Sequence, residues 1–272
     1  MHPTATDGPS TAAPIAAALT ALRERSPLVQ CLTNIVVAQR TADVLLAAGA
    51  APAMVDNAAE AGPFAAIADA VLVNLGTPYA DTADAMRAAV RGAADAGTPW
   101  VLDPVAVGPL RWRTDLALEL LAIAPPRIVR GNASEVLALA GGAGGKGVDS
   151  VDSPDAALDT ARRLADRLGT TVAVSGAVDV VTDGPRVLRV RNGHPLMTRV
   201  TGVGCALGAL MAAFAAAVDD PIVAATAATA LLTVAADASA ATAAGPGTFA
   251  VGLLDEVAAV SPDRLLAETR LA

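Results

Sequence analysis

The chain has 272 residues, of which 54% are hydrophobic and only 2% aromatic. It is therefore long enough to bury a large core, built mainly from alanine, valine and leucine. The formal net charge of −8 and the pI near 4.7 argue against a nucleic-acid-binding protein, which would present a basic face. The two cysteines, Cys31 and Cys205, lie far apart in the sequence and exclude a disulfide framework, which favours a reducing, cytoplasmic location.

The N-terminal segment and two apolar runs bear on targeting. Residues 1–11 contain an aspartate but no lysine or arginine, so they lack the basic start of a signal peptide and are predicted to form a disordered tail. The uncharged helical runs 205–218 and 222–236 are too short to cross a bilayer comfortably. Both are predicted to be buried helices, so no membrane partner is expected. Residues 12–272 are interpreted as a single domain, because no linker or internal repeat interrupts them.

Short apolar runs alternate with alanine-rich segments of helical length. This pattern is typical of a largely parallel sheet covered by helices on both faces. The predicted strands are residues 28–32, 51–55, 70–75, 100–103, 127–130 and 171–175. Helices are predicted between them, for example over 82–96 and 154–168. A hairpin with its turn at Asp183-Gly184 is predicted next, and the chain after the following glycine turn is predicted to be helical.

Polar side chains follow most of the predicted strands. In an open parallel sheet, ligands bind beyond the carboxyl ends of the strands. The polar residues found there are Asn34, Asp56, Asn57, Asn74, Thr77, Asp103, Asn132, Glu135 and Ser175. Some are expected to be helix caps or turn formers, since Asn, Asp and Ser are favoured there for local reasons. Asp103 and Glu135 are stronger candidates for a site, because two carboxylates at strand ends could face one cavity.

Two glycine-rich segments are candidates for binding a phosphate. Residues 141–150, GGAGGKGVDS, follow a predicted helix rather than a strand, so they lack the context of a dinucleotide-binding loop, and Ala140 and Gly147 break the P-loop pattern. We interpret this segment as a surface loop. The turn Gly202-Val203-Gly204 is the better candidate. Its glycines permit close backbone approach, and the N-terminus of the helix that follows attracts anions.

Cys205 opens that helix, where its thiolate is expected to be stabilised and its pKa to fall below the ordinary value of ~8.5. The residues alone leave three roles open. Cys205 is a small buried packing residue, a covalent nucleophile, or a polar group beside a phosphate in transfer. A nucleophile needs a nearby base, for which His194 is the candidate. We interpret His194 instead as a turn residue without a catalytic role.

Nine segments of the chain, in order, carry a resemblance to a known family. They are PLVQCLTN, LLAAGAAPAM, VLVNLGT, VLDPVAVG, IVRGNASE, GGKGVDS, VAVSGAVDVVTDG, NGHPLMTRVTGVGC and GPGTF. Together they resemble the hydroxyethylthiazole kinases, which belong to the ribokinase-like proteins, over roughly residues 26–255. The resemblance implies a ribokinase-like three-layer α/β/α sandwich with a mostly parallel central sheet and a C-terminal helical region.

The resemblance also implies an activity. It implies ATP-dependent phosphorylation of the hydroxyethyl group of 4-methyl-5-(2-hydroxyethyl)thiazole in thiamin salvage, with ATP and Mg²⁺ as cofactors. A homotrimer with active sites between subunits is implied as well. In the wider family an aspartate closes the glycine turn as catalytic base, and in the thiazole kinases a cysteine takes that position, here Cys205. Gly202 and Gly204 then form the anion hole for the moving phosphoryl group.

The remaining site residues are carried over one by one from the family's motifs. By this resemblance, the nucleotide contacts are Arg130 and Ser175, the residues that organise Mg²⁺ are Asp103, Asn132 and Glu135, and the thiazole contacts are Met54, Gly202 and Asn34. Three alternatives stay open. The first is a kinase of the same fold that acts on another small alcohol, such as a hydroxymethylpyrimidine or a sugar. The second is a nucleotide-binding protein without transfer activity, and the third is a hydrolase with a cysteine nucleophile.

Overall fold

The computed structural model describes residues 12–141 and 154–272. Its strands form one eight-stranded sheet in the order β2-β1-β3-β4-β5-β6-β7-β8. The strands are β1 Leu28–Leu32, β2 Ala51–Ala53, β3 Ala70–Asn74, β4 Trp100–Asp103, β5 Ile128–Asn132, β6 Thr171–Ser175, β7 Asp179–Thr182 and β8 Val187–Val190. The pairs from β2 to β6 are parallel, whereas β7 and β8 pair antiparallel at one edge.

Helices cover both faces of the sheet. They are α1 Ala12–Arg25, α2 Ala38–Ala48, α3 Ala58–Ala65, α4 Ala80–Ala96, α5 Arg111–Ile123, α6 Ala133–Gly141, α7 Pro154–Leu168, α8 Val203–Ala217, α9 Pro221–Thr242, α10 Pro246–Ala259 and α11 Pro262–Glu268. A 3₁₀ helix spans Pro195–Arg199.

Two hydrophobic cores separate the layers. In β3, Leu72 packs with α1, α2 and the C-terminal helices, whereas its neighbours Val71 and Val73 pack with α3 to α7. Successive side chains of a strand point to opposite faces, so a strand buried on both sides reads as a continuous apolar run. The three-layer sandwich with a C-terminal helical region is confirmed.

Helix α8 lies across the middle of one face. Most of its residues are alanine, glycine or leucine and are buried, and it contacts β1, β3, β4 and β5. Small side chains allow the helix axis to approach the sheet closely. The helix begins after Gly202 at the carboxyl edge of the parallel strands, which is the edge where polar side chains accumulate.

Most predicted strand bounds are close to those observed. The strands 28–32, 100–103 and 171–175 and the hairpin are confirmed. The second strand ends at Ala53, so Met54 lies in the loop that follows. The fifth strand runs to Asn132, because its parallel pairing with β6 extends as far as Ser175.

Helix α9 is longer than the 15-residue run used to predict it. It spans 22 residues and includes Asp237, whose carboxylate accepts hydrogen bonds from Asn192 and Gly193. Within residues 12–141 and 154–272, α9 is the one helix long and apolar enough to span a bilayer, and 83% of its apolar window is buried inside the protein. This burial is typical of a core helix.

Two predictions fall on parts of the chain outside the described residues. The tail 1–11 is one, and most of the loop 141–150 is the other. Helix α6 ends at Gly141, so the loop does follow a helix. The single-domain interpretation of residues 12–272 stays a prediction.

Candidate active site

Polar side chains in or just after five neighbouring parallel strands, β1, β3, β4, β5 and β6, meet the N-terminus of α8 at the carboxyl edge of the sheet. The residues brought together are Asn34, Asn74, Asp103, Arg130, Ser175, Gly202, Gly204 and Cys205. The parallel order of the strands explains the cluster, because each strand delivers its last residues to the same edge.

Two amide side chains connect Cys205 to Asp103. The Nδ2 group of Asn34 donates to Sγ of Cys205 at 3.4 Å and to Oδ1 of Asn74 at 3.0 Å. The Nδ2 group of Asn74 then donates to Oδ2 of Asp103 at 2.7 Å. The thiol and the carboxylate therefore belong to one continuous hydrogen-bonded group.

Asp103 is completely buried, and within residues 12–141 and 154–272 its Oδ1 atom has no hydrogen-bond partner. Nη1 of Arg130 lies 3.7 Å from this oxygen, a distance too long for a hydrogen bond. Burial raises the pKa of Asp103 to about 7, against the lowering effect of the Arg130 charge, and the Glu135 carboxylate raises it further. A buried carboxylate oxygen without a donor is a strong acceptor for a cation or a proton.

Arg130 lies between Asp103 and the first turn of α8. Its Nε and Nη2 groups donate to Oγ of Ser175 at 3.3 and 3.0 Å. A Cβ atom at Gly204 would come within 2.9 Å of both Nη1 and Nη2, so the guanidinium rests directly against the helix backbone. A cation beside the free N–H groups of a helix N-terminus makes a site for an anion. Because Oγ of Ser175 accepts from Arg130, the hydroxyl hydrogen remains available to a ligand.

Gly202 turns the chain into α8 with a φ of 89°, in the left-handed region that favours glycine. A Cβ atom there would also lie 2.7 Å from Cγ1 of Val37 and 2.9 Å from its Cβ. Both conformation and space therefore require glycine at this position.

The lowered pKa predicted for Cys205 is wrong. Burial raises the pKa of the thiol, and the Asp103 carboxylate raises it further, whereas the nearby amide groups of Asn74 and Asn34 lower it. Desolvation disfavours the thiolate, and a nearby negative charge adds to that effect. The sequence indicated the helix N-terminus but not the buried carboxylate beside it.

Asn132 and Glu135 form a reciprocal cap at the start of α6. Oδ1 of Asn132 accepts from the Glu135 N–H, and Oε2 of Glu135 accepts from the Asn132 N–H, both at 2.9 Å. The other carboxylate oxygen, Oε1, accepts from the Ala106 N–H at 3.0 Å. Among the residues that the structure describes, no group of three or more His, Cys, Asp or Glu side chains could hold a metal ion.

His194 and Met54 both lie outside the polar group around Cys205. His194 accepts a hydrogen bond from the Leu196 N–H and starts the 3₁₀ helix, as expected of a turn residue. Met54 is 41% exposed in the loop after β2, and within the described part of the chain no hydrogen bond joins it to the polar group around Cys205. The buried side chain of Gln30 stabilises this loop, because its Nε2 group donates to the carbonyl of Val55 at 2.9 Å.

The sequence patterns did not single out Asp179. This residue begins β7, is 8% exposed, and accepts a hydrogen bond from the Gly176 N–H at 2.9 Å. Burial raises its pKa to about 6, although the Gly176 hydrogen bond and the charge of Arg130 act in the opposite direction. The available signal was the antiparallel pairing of β7, since an antiparallel strand begins at the edge where its parallel neighbours end.

Comparison with known proteins agrees with this geometry. The family model described as "Hydroxyethylthiazole kinase family" matches residues 19–263. A protein of Clavibacter sepedonicus with the name hydroxyethylthiazole kinase is 61% identical over 252 residues, which cover 92% of this chain and 91% of the relative. A relative of the same name from Cutibacterium acnes is 56% identical over 252 residues, covering 92% of this chain and 91% of the relative.

Solved structures give the same result for the fold. The hydroxyethylthiazole kinase protein from Pyrococcus horikoshii OT3 matches with a TM-score of 0.88 and 38% identity, covering 95% of this chain and 98% of the other. A ribokinase-like superfamily protein from Enterococcus faecalis V583 matches with a TM-score of 0.61 and 14% identity, covering 93% of this chain and 84% of the other. At that identity the second match concerns the fold alone, which is ribokinase-like.

Proposed function

The chain belongs to the hydroxyethylthiazole kinase family, and on that premise we propose how its residues transfer a phosphoryl group from ATP to the hydroxyethyl group of the thiazole. Phosphoryl transfer passes through a loose transition state, so catalysis depends mostly on positioning and on charge stabilisation. The observation that carries the proposal is the Arg130 guanidinium resting against Gly204 at the N-terminus of α8.

The transferred phosphoryl group binds at this helix N-terminus. The backbone from Gly202 to Gly204 supplies N–H groups, and glycine at these positions keeps side chains out of the way. Arg130 adds a positive charge, and the hydroxyl of Ser175 adds a hydrogen-bond donor to the nucleotide. The charge on the phosphate oxygens is thus balanced by fixed groups of the protein, which need little reorganisation during transfer.

The thiazole binds on the other side of Cys205, near Asn34, with Met54 and the backbone of Gly202 at the edge of the site. A thioether packs well against a sulfur heterocycle. The sulfur of Cys205 lies beside the acceptor hydroxyl and, in its thiolate form, takes up the hydroxyl proton. Since burial and Asp103 raise the pKa of Cys205, the thiol is mostly protonated at neutral pH, and its contribution as a base is expected to be modest.

The residues present fit a magnesium ion. Oδ1 of Asp103 is a buried carboxylate oxygen to which no group in the described part of the chain donates, and Mg²⁺ prefers one or two carboxylates together with water and substrate phosphates. Asp103 would hold the ion directly, and Glu135 and Asn132 through water, since their oxygens already accept from backbone N–H groups. When bound, the ion neutralises charge on the nucleotide phosphates.

A homotrimer with active sites between subunits is part of the proposal. Three apolar side chains on the loops next to Asn34 and β2 are exposed, Ile35 by 73%, Val36 by 67% and Met54 by 41%. Apolar groups in such number beside a polar site are expected to meet another subunit. We also place the enzyme in the cytoplasm, because both of its cysteines are free.

ADP release by the purified protein tests the proposal. The assay contains ATP and Mg²⁺, and it compares no acceptor, hydroxyethylthiazole, a hydroxymethylpyrimidine and a sugar. We expect release that only the thiazole stimulates. Stimulation by another alcohol would keep the phosphate site and discard the acceptor, whereas ATP binding without any stimulated release would contradict the transfer activity. A covalent adduct on Cys205 that mass spectrometry detects would support the hydrolase alternative instead.

A further inference from the structure

Asn74 lies at the centre of the buried polar group, and none of the roles above includes it. It is the last residue of β3 and is completely buried. Its Oδ1 accepts from the Gly76 backbone N–H at 2.9 Å and from Nδ2 of Asn34 at 3.0 Å. Its Nδ2 donates to Oδ2 of Asp103 at 2.7 Å. Both polar atoms of the side chain are therefore engaged.

The orientation of the Asn74 amide is determined by its neighbours. A backbone N–H can only donate, so the contact with Gly76 requires the oxygen of Asn74 at that end. The reversed amide would place two donors against each other at Gly76 and two acceptors against each other at Asp103. Each mismatch would leave a buried polar group unpaired, at a cost of about 1–3 kcal/mol.

The orientation of Asn34 follows from that of Asn74. Because the oxygen of Asn74 can only accept, Asn34 must face it with its NH₂ group. The same NH₂ group lies 3.4 Å from Sγ of Cys205. Within the described residues, Oδ1 of Asn34 has no hydrogen-bond partner, and it is left to accept a hydrogen bond from a ligand. Gly76 allows this arrangement, because a Cβ atom there would lie 2.5 Å from the Asn34 side chain.

We propose that Asn74 is a positioning residue for phosphoryl transfer: it fixes the Asn34 amide so that its NH₂ group bonds Cys205 and its oxygen accepts from the hydroxyl of the acceptor. The inference rests on the proposed function of the site. In this proposal the hydroxyl of the acceptor alcohol donates to the oxygen of Asn34 and not only to the sulfur of Cys205. The direction of each hydrogen bond between Gly76 and Cys205 is then determined by the backbone N–H of Gly76.

A double-mutant cycle tests this role. In Asn74→Ala the Asn34 amide is free to rotate, and a misplaced group beside the reacting atoms lowers the rate by about 10²-fold. We expect kcat for the thiazole to fall by about that factor, with the KM for ATP within about twofold. In the Asn34→Ala background, Asn74→Ala is expected to cost less than about twofold more, since two residues that act through one interaction are not additive. An equal loss in both backgrounds would overturn the proposal, as would an unchanged kcat.

Asn192 provides the matched control. It is also a buried asparagine that donates through Nδ2 to a carboxylate, Asp237, and accepts at Oδ1 from a backbone N–H, that of Arg270. Asn192→Ala is expected to lower thermal stability without changing kcat. If it lowered kcat as much as Asn74→Ala, the loss would reflect general destabilisation, and the positioning role would be discarded.

A second variant decides the question if Asn74→Ala does not fold. Asn34→Asp keeps the side-chain volume and the oxygen that accepts from the alcohol, but as a carboxylate it cannot donate to Asn74 or to Cys205. We expect its kcat to be as low as that of Asn34→Ala, and a kcat at the wild-type level would overturn the proposal. The wild-type rate is measured in parallel, because a wild-type protein without thiazole-dependent ADP release would contradict the proposed function itself.

Discussion

Asp103 and Arg130 are held together without a direct hydrogen bond. The guanidinium lies 3.7 Å from Oδ1 of a carboxylate that is completely buried. Its attraction offsets part of the desolvation cost, yet the pKa of Asp103 is still raised to about 7. A buried carboxylate with a raised pKa favours the binding of a cation or a proton. The free-energy cost of ionising it inside the protein makes the stability of the fold depend on pH.

Asp103→Asn is expected to reduce that pH dependence. The Asp103 carboxyl has a pKa of about 7 in the folded protein and 3.8 as its ordinary value. Between these values the folded state keeps a proton that the unfolded state has lost, so the free energy of unfolding falls as pH rises through this window. Asparagine removes roughly 2–4 kcal/mol of this change. Thermal unfolding of the wild type and of Asp103→Asn, from pH 4 to 8 without divalent metal, measures how the free energy of unfolding changes with pH. An equal change in both proteins would contradict the raised pKa of Asp103.

Gly204→Ala is expected to separate binding from stability. The added Cβ would come within 2.9 Å of both terminal nitrogens of Arg130. The end of an arginine moves at little cost, so the helix is retained and stabilised by about 0.5–1 kcal/mol. The displaced guanidinium loses its place beside the phosphate, and the KM for ATP is expected to rise about tenfold. Steady-state kinetics with a fixed thiazole concentration check this, and an unchanged KM would remove Arg130 from the nucleotide site.

At the scale of elements, α8 brings the sheet and the anion site together. Gly204 and Gly208 lie one turn apart on its inner face, and a Cβ at Gly208 would come within 3.2 Å of Leu72 and 3.5 Å of Cβ of Asp103. The helix can therefore lie directly on the ion pair of Asp103 and Arg130. The glycine spacing is readable in the sequence, but its purpose becomes visible only once the sheet is in place.

Asn132, which we propose to hold Mg²⁺ through water, is also the capping residue of α6. Its Oδ1 accepts from the Glu135 N–H at the start of α6. Asn132→Ala is expected to lower the free energy of unfolding by about 1 kcal/mol, and Asn132→Ser by a few tenths, because serine also caps helices. Urea unfolding measures both. Equal losses of unfolding free energy in the two variants would show that the cap contributes little to stability. The pairing of Asn132 with Glu135 would then have to be explained by the proposed Mg²⁺ alone.

The sequence predicts this site unevenly, for physical reasons. A parallel strand sends its last residue to a known edge, so Asn34, Asp103 and Ser175 could be placed near one another from their positions alone. The pKa of Cys205 could not be predicted, because it depends on burial and on a carboxylate 102 positions earlier in the chain. The orientation of the Asn74 amide depends on the backbone N–H of Gly76, which no sequence pattern encodes.

At the scale of the whole molecule, the exposed apolar loops beside the site predict an assembly. Sedimentation is expected to give about three times the 26.9 kDa mass of one chain. Ile35→Lys, which places a charge on that surface, is expected to shift the protein toward monomers and to lower kcat/KM for the thiazole. Ile67→Lys is the control. Ile67 is 72% exposed, close to the 73% of Ile35, but it precedes β3 and so lies at the opposite edge of the sheet, away from the site. A monomeric wild-type protein would contradict the assembly.

The central claim is that the glycine turn and α8 contribute more to catalysis than proton removal by Cys205. Thiazole-dependent ADP release by Cys205→Ala and Gly202→Val, measured side by side, tests it most directly. Gly97→Val serves as control, since Gly97 also has a positive φ, of 73°, but a Cβ there would meet no described atom within 4 Å. We expect Cys205→Ala to keep measurable turnover, Gly97→Val to keep nearly full turnover, and Gly202→Val to lose almost all of it. Near-complete loss in Cys205→Ala with substantial activity in Gly202→Val would contradict the account.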